Sequence, residues 1–319
     1  MSDAPRITVA IPTMNGARHV AETVRGILAE EGAPFDWVVS DDRSDDETLD
    51  IIRSLAGDRA RIVRNAERLG LAGNWNQCVE LCQTPLVAIV HQDDVWRPGH
   101  LVSHVRAFEN QAVGLVASAT HTIDDSGLPV SASVVSPGGF GPEDRTFAPG
   151  EAIRAMAAGN PLRCSAVSIR VAAHRAVGGF DPALRYVLDW DFWLRVAGTW
   201  AVAWLSDPTV DVRWHPASET HRFATGTRDL EETEAVLADL GQPSGNRALS
   251  RAYLNRAYAA IKGGDAPLAR RCLGRSLRLW PGIAGVIAAD PRLAVLMAGA
   301  VIAPKQTGRW LARATKRSL

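Results

Sequence analysis

No two cysteines in this sequence have the CxxC spacing of a zinc or redox site. Only four are present, Cys78, Cys82, Cys164 and Cys272. Cys78 and Cys82 stand four apart in a stretch that reads as helix, so buried free thiols in a reducing cytoplasm are expected. Surplus charge is missing too: 35 basic and 35 acidic residues cancel to a formal zero. With no global field to attract polyanions, a nucleic-acid partner is not expected. No apolar run reaches the ~18 residues of a membrane-spanning helix. The nearest, "LAVLMAGAVIA" (Leu293–Ala303), has eleven. The opening "MSDAPRITVAIP" runs into a strand pattern without the apolar core of a signal peptide, so no leader is expected. Two nucleotide signatures are also absent. No GxGxxG follows the first strand pattern, which disfavours a dinucleotide site, and no GxxxxGK[ST] occurs, which argues against a P-loop hydrolase.

What is present is ordinary globular composition, 46% hydrophobic and 22% charged over 319 residues, enough for two domains or one with an appendage. The first hundred residues alternate strand and helix. "RITVAIPT" is a strand, "ARHVAETVRGILAE" a helix with Val20, Val24, Ile27 and Leu28 on one face, and "FDWVVSDD" a second strand. Ser44 followed by Glu47 reads as a capping box opening the next helix. "ARIVRN", the helix "GNWNQCVELCQ" and "PLVAIV" continue the pattern, and Pro98 reads as the first residue of a helix to about Asn110. This alternation predicts parallel βαβ units. Residues 124–149, rich in Gly, Pro and Ser, read as a long loop or hairpin, and "AVAWLSDPTVDVRWH" as a strand pair. Composition shifts near Thr225 to a helical, Ala-, Leu- and Arg-rich region containing one helix–turn–helix of tetratricopeptide-like spacing. A catalytic domain over 1–225 and a helical region over 226–319 are therefore expected. The tail "PKQTGRWLARATKRSL" has five basic residues and no acid. It suggests peripheral contact with an anionic membrane, or merely a basic end on a last core helix.

Ligands collect at the carboxyl ends of strands in open α/β sheets. Here those ends read Pro12–Asn15, Ser40–Asp42, Arg64–Arg68 and His91–Asp94, each offering groups suited to a nucleotide. Adjacent Asp93 and Asp94 repel each other unless a cation lies between them, although an acidic turn before a helix accounts for them equally well.

The markers "VAIPTMN", "VVSDDRSDDET", "RNAERLGLAGNWN", "IVHQDDVW", "AVGGFD", "LDWDFWLRVA" and "VRWHPAS" occur in an order that resembles the inverting GT-A glycosyltransferases of the family-2 type, over roughly residues 6–220. Among them the sequence resembles bacterial cell-envelope transferases, including rhamnosyltransferase-like members. The resemblance implies an α/β fold of the GT-A, Rossmann-like kind, with a mostly parallel sheet flanked by helices and followed by a C-terminal helical appendage. It implies transfer of a sugar from a UDP- or dTDP-sugar to a glycan or lipid-linked acceptor, with Mg²⁺ or Mn²⁺ as cofactor. It places Pro12, Thr13, Asn15, Asp41, Asp42, Arg68, Asn74, Gln92 and Asp93 at the nucleotide sugar, with Asp42 favoured over Asp41 for the base and a plain N-cap as the other reading of Asn74. Gln92 stands where the family's DXD motif begins with Asp, which leaves Asp94 as the main metal ligand, and His215 matches a third metal or diphosphate contact. Asp189 matches the general base, which can also be an N-cap. Trp190, with Trp193, could line a sugar or pack in the core; Asp191 lies on another face, at i,i+4 spacing to Arg195. Arg163 and Ser165 are candidate acceptor-side positions. The rival readings are a sugar nucleotidyltransferase and a non-catalytic glycan- or nucleotide-binding module.

Overall fold

The computed structural model describes residues 6–130, 139–157, 159–215, 226–241 and 243–302. The basic tail on which the expected membrane contact rests lies outside the described residues, as does the end of "VRWHPAS". No helix among the described residues is long and apolar enough to cross a membrane.

Strands β1 (Ile7–Thr13), β2 (Phe35–Asp41), β3 (Arg61–Arg64) and β4 (Leu86–Ile89) are parallel and lie in the order β3-β2-β1-β4. All seven residues of β1 are buried, which is why "ITVAIPT" has no charged residue and no strict apolar–polar alternation. Helices α1 (Val20–Leu28), α2 (Thr48–Ala56) and α3 (Gly70–Glu80) make the crossovers. Val20, Val24 and Ile27 of α1 are fully buried in the same core as Ile7, Val9 and Ile11 of β1, as the helical spacing predicted. Because β1 has its sequence neighbour β2 on one side and the later β4 on the other, a crevice opens at the carboxyl ends of β1 and β4.

Beyond β4 the sheet becomes mixed. It continues through β8 (Val167–Arg170), β6 (Val113–Ile123), β9 (Ala201–Arg213) and β5 (Val95–Trp96), and β7 (Arg145–Phe147) also pairs with β9. β8 is antiparallel to both β4 and β6, whereas β6 and β9 are parallel. The expected strand pair over residues 201–215 is instead one strand, whose register against β6 shifts near Ser118–Thr120, opposite Pro208. A proline cannot donate to the ladder and is accommodated at such an irregularity. The expected long loop at 124–149 contains β7.

Two helix starts differ from the sequence reading. Ser44 does not form a capping box: its Oγ accepts from Asn15 N (3.0 Å), and Asp46 instead accepts from Thr48 N (3.0 Å) at the start of α2. Helix α4 spans His100–Ala107, two residues later than Pro98 suggested, after Gly99 at φ 93°. Buried Glu30 accepts from the first two amides of α4, His100 N (3.3 Å) and Leu101 N (2.9 Å), where a carboxylate suits the helix dipole. Short α5 (Ile153–Met156), α6 (Val171–Ala176) and α7 (Leu188–Thr199) complete this unit.

A second compact unit holds the C-terminal helices. Its helix–turn–helix joins Pro243–Lys262 to Ala266–Leu279 through Gly264 (φ 80°), and Asp265 caps the second helix by accepting from Leu268 N at 3.0 Å. Buried Ser250 donates to Ser276 O (2.8 Å) across this pair.

His100 and His104 are fully buried one turn apart on α4, their rings 4.0 Å apart. Each uses Nδ1, to Thr209 Oγ1 and Ser168 Oγ, both at 2.8 Å. Burial lowers both pKa values, that of His104 to about 3, so both rings are neutral in the folded state. Their stabilising contribution is complete above the unfolded value near 6.5 and is lost as pH falls towards the folded values. Each histidine should therefore cost on the order of 1 kcal/mol per pH unit below 6.5. Denaturant unfolding between pH 8 and 5 should show a smaller loss for His104→Gln than for the native chain. Parallel profiles would remove the histidine from this account.

Candidate active site

Parallel register brings the strand ends together. Thr13 of β1 lies opposite Asp41 of β2, and Asp41 opposite Arg64 of β3. Thr13 Oγ1 donates to Asp41 Oδ1 (3.2 Å), and Asp41 also accepts from Ser44 N (3.1 Å). Asp42 accepts from Leu69 N (2.7 Å), Gly70 N (2.9 Å) and Asn65 Nδ2 (3.1 Å). It therefore acts as an N-terminal anion for α3, supplied by a residue distant in sequence. Both aspartates are buried, and their oxygens already bind protein donors. Pro12 is buried within β1; Asn15, at φ 52°, accepts Asp45 N at 2.9 Å; Arg68 is exposed and only 3.5 Å from Arg43 O.

Two residues expected at the nucleotide sugar have their side-chain amides bonded within the protein. Asn74 is not an N-cap: it lies inside α3, buried, accepting from Ser40 Oγ (2.7 Å) and Asn65 Nδ2 (3.0 Å) and donating to Ser40 O (3.1 Å). Gln92 spends its amide on the backbone of Met14, accepting from Met14 N and donating to Met14 O, both at 3.0 Å. It thus straps the turn after β1 to the end of β4. Gly16 makes room for the strap, since a Cβ there would lie 2.2 Å from Gln92 Oε1.

Asp94 is buried. Its Oδ2 accepts from Ser165 Oγ (2.5 Å) and its Oδ1 from Arg213 N (2.8 Å). Ser165 also accepts His91 N (2.9 Å), so this expected acceptor-side residue instead orients the acidic turn. Burial, and then the charge of Asp93, push the Asp94 carboxyl up to about 8. Asp93 is less buried, and its Oδ2 lies 3.0 Å from His215 Nε2. His91 stacks on Trp75 at 5.0 Å, and its buried Nε2 has no hydrogen-bond partner among the described residues. One ring nitrogen of His91 and one oxygen each of Asp93 and Asp94 lie within 4.8 Å of one another. An imidazole nitrogen beside two carboxylates is a donor set that fits a divalent cation, which would take the place of the Asp94 proton.

Asp189 is the second residue of α7. Its Oδ2 accepts from Asn160 Nδ2 and its Oδ1 from Trp190 N, both at 2.7 Å. Burial raises its pKa to about 6, opposed by those two bonds. Burial raises the Cys164 thiol well above its ordinary value, and the charges of Asp189 and Asp94 add to the rise, so both carboxylates lie within electrostatic reach of it. Trp190 belongs to the core rather than a sugar pocket: it is 2% exposed, and Nε1 donates to Met156 O (3.1 Å). Trp193 is fully buried against Phe180 and Phe192. Asp191 is removed from the pocket by its expected pair with Arg195 (2.7 Å), whose guanidinium also donates to Val177 O and Gly179 O. Arg163 is exposed, near enough to Asp189 to offset part of the rise.

Asn160 is a site residue that sequence reasoning missed. Its signal was slight, an Asn between Gly and Pro in a stretch without periodicity. The role of Arg213 was also underread. Fully buried, its guanidinium donates to Asp93 O (3.0 Å), Asp124 O (3.0 Å) and Glu22 (2.6 Å), locking the acidic turn to α1 and the end of β6.

Residues 8–162 match the family described as glycosyl transferase family 2. The chain is 30% identical over 238 residues to the Mycobacterium tuberculosis protein MT1568, covering 73% of this chain and 75% of that one. It is 26% identical over 204 residues to the putative glycosyltransferase EpsE of Bacillus subtilis, covering 61% and 68%. In fold it is similar to S. aureus TarS 1-349 in complex with UDP-GlcNAc, with a TM-score of 0.62 at 16% identity over 98% of this chain and 92% of that one. With strand-end carboxylates gathered on a GT-A type sheet and a family match over the segment that carries most of them, the chain belongs to glycosyl transferase family 2 and is a glycosyltransferase.

Proposed function

We propose that the protein transfers a sugar, with inversion, from a UDP- or dTDP-sugar to a hydroxyl of a glycan or lipid-linked acceptor in cell-envelope polysaccharide synthesis. The observation that carries this reading is Asp189: a half-buried carboxylate at a helix start, held by Asn160 Nδ2 and Trp190 N, with a pKa raised to about 6. Such a base is ionised at neutral pH yet basic enough to take a proton as a bond forms. The electrostatic proximity of Asp189 and Asp94 to Cys164 supports putting base and leaving group in one cleft. The UDP-GlcNAc bound by TarS supports a uridine-linked donor.

In the step envisaged, Asp189 accepts the acceptor hydroxyl's proton while that oxygen bonds to the anomeric carbon. The bond from that carbon to the diphosphate oxygen breaks, and its electron pair leaves with the nucleoside diphosphate. Asp94 and Asp93, with His91 beside them, would hold Mg²⁺ or Mn²⁺. A bound cation of this kind supplies charge neutralisation for the departing diphosphate. Ser165 Oγ and Arg213 N fix Asp94, and His215 orients Asp93, so the carboxylates are aimed before substrate arrives. Thr13, Asn15 and the segment carrying Asp41 and Asp42 line the nucleotide end of the crevice, with Arg68 reachable from solvent at its rim. Peripheral contact of the basic C-terminus with the cytoplasmic face of a membrane would bring the enzyme to the surface that carries a lipid-linked acceptor.

Asp189→Asn should lower kcat by ~10²–10⁴-fold with donor affinity retained, and a wild-type rate on a verified donor–acceptor pair would disprove the assignment. In the native enzyme kcat/KM should fall on acidification below pH about 6, the value to which burial raises Asp189. A flat profile from pH 8 to 5 would contradict a base of that pKa. Calorimetric Mn²⁺ titration should show a greater affinity loss for Asp94→Asn than for Asp93→Asn. The reverse order would reassign the main ligand.

A further inference from the structure

The geometry points to a second cation site in this chain, apart from the Asp93–Asp94 carboxylate pair: His19, Asp125 and His215 form a two-histidine, one-carboxylate pocket for a borderline transition metal such as Zn²⁺. The three side chains come from distant segments. His19 precedes α1, Asp125 is in the turn after β6, and His215 follows β9. One donor atom from each lies within 4.8 Å of the other two. His19 Nε2 is 3.1 Å from Asp125 Oδ1, and the rings of His19 and His215 are 5.3 Å apart. Tetrahedral zinc with bonds of ~2.0–2.1 Å needs donors about 3.3 Å apart, so modest side-chain rotations close the site.

Its surroundings are built rather than incidental. Both histidines are more than nine-tenths buried, while the Asp125 side chain is 35% exposed and gives the ion a route in. The Asp125 turn is fixed from within: the carboxylate of Asp124 accepts from Ser126 N (2.8 Å) and Leu128 N (3.0 Å). It is fixed from below by Arg213, which donates to Asp124 O (3.0 Å) and Asp125 O (3.2 Å). Two cations border the pocket. Arg213 is paired with Glu22 at 2.6 Å, and Arg18, whose side chain is 68% exposed, binds Asp125 and can swing into solvent. Two imidazoles select against Mg²⁺, which prefers oxygen donors, and favour Zn²⁺ or Co²⁺. Because His215 Nε2 also contacts Asp93, an ion here would draw on the same ring that orients Asp93. The proposal does not rest on the sugar-transfer reading.

The test is titration of the metal-free full chain with Co²⁺, without nucleotide, following visible d–d absorption. Nitrogen-bound Co²⁺ should appear in the native chain and persist in Asp94→Asn. It should weaken at least ~10-fold in Asp125→Asn and His19→Gln, since even outer-shell losses cost that much. Asp125 lies in an exposed turn, so its variant keeps the test valid should His19→Gln fold poorly. No Co²⁺ binding by the native chain would overturn the site. So would a signal lost in Asp94→Asn but intact in Asp125→Asn, and that second result would leave the metal reading of the carboxylate pair standing.

Discussion

The bond network around one buried carboxylate organises the site. Asp94 follows a strand whose four residues are all buried, and it is desolvated enough that its proton is retained to about pH 8. A bare charge there would cost several kcal/mol, so the fold brings donors to it from far along the chain. Ser165 comes from the turn before β8 and Arg213 N from the last residue of β9. Those two segments reach Asp94 only because β8 lies beside β4 antiparallel and β9 passes β5. The mixed half of the sheet thus supplies the bonds that fix a carboxylate presented by the parallel half.

The same logic separates what was legible in the sequence from what was not. Apolar runs bounded by polar clusters revealed the first four strands and their helices, because a strand buried on both faces leaves no alternation to misread. The polar cluster at every strand end was legible for the same reason. Individual partners were not. Asn74 and Gln92 look from the chain like nucleotide contacts, the first also like a cap, yet Asn74 is bonded to Ser40 of β2 and Gln92 to Met14. Ser44 has the spacing of a capping box, but the turn after β1 takes its hydroxyl. In each case a tertiary hydrogen bond outcompetes the local rule, and spacing carries no information about a partner thirty or eighty residues away.

Gln92 also accounts for the departure from an aspartate at the head of the acidic motif. A third carboxylate would add repulsion to a pair already strained by desolvation. It also could not donate to Met14 O while accepting from Met14 N. An amide does both, and it converts the first motif position from a ligand into a strap between the ends of β1 and β4. The crevice between those two strands is where the topology reverses, and this pair of bonds ties its two sides together.

Asp189 and Asp94 show how burial can leave two carboxyls with different affinities for a proton. Both are pushed up by desolvation, but Asp94 also feels the neighbouring Asp93, whereas Asp189 is eased by Asn160 and by an amide at the start of α7. The result is one carboxyl that holds its proton at neutral pH and one that does not. A group that releases its proton only to a stronger competitor suits a cation site, because binding then requires the charge that substrate and metal bring together. A group ionised at neutral pH but close to its titration point suits proton abstraction. The two carboxyls part because their surroundings differ, in burial first and then in neighbouring charges and hydrogen bonds, since the side chains are identical.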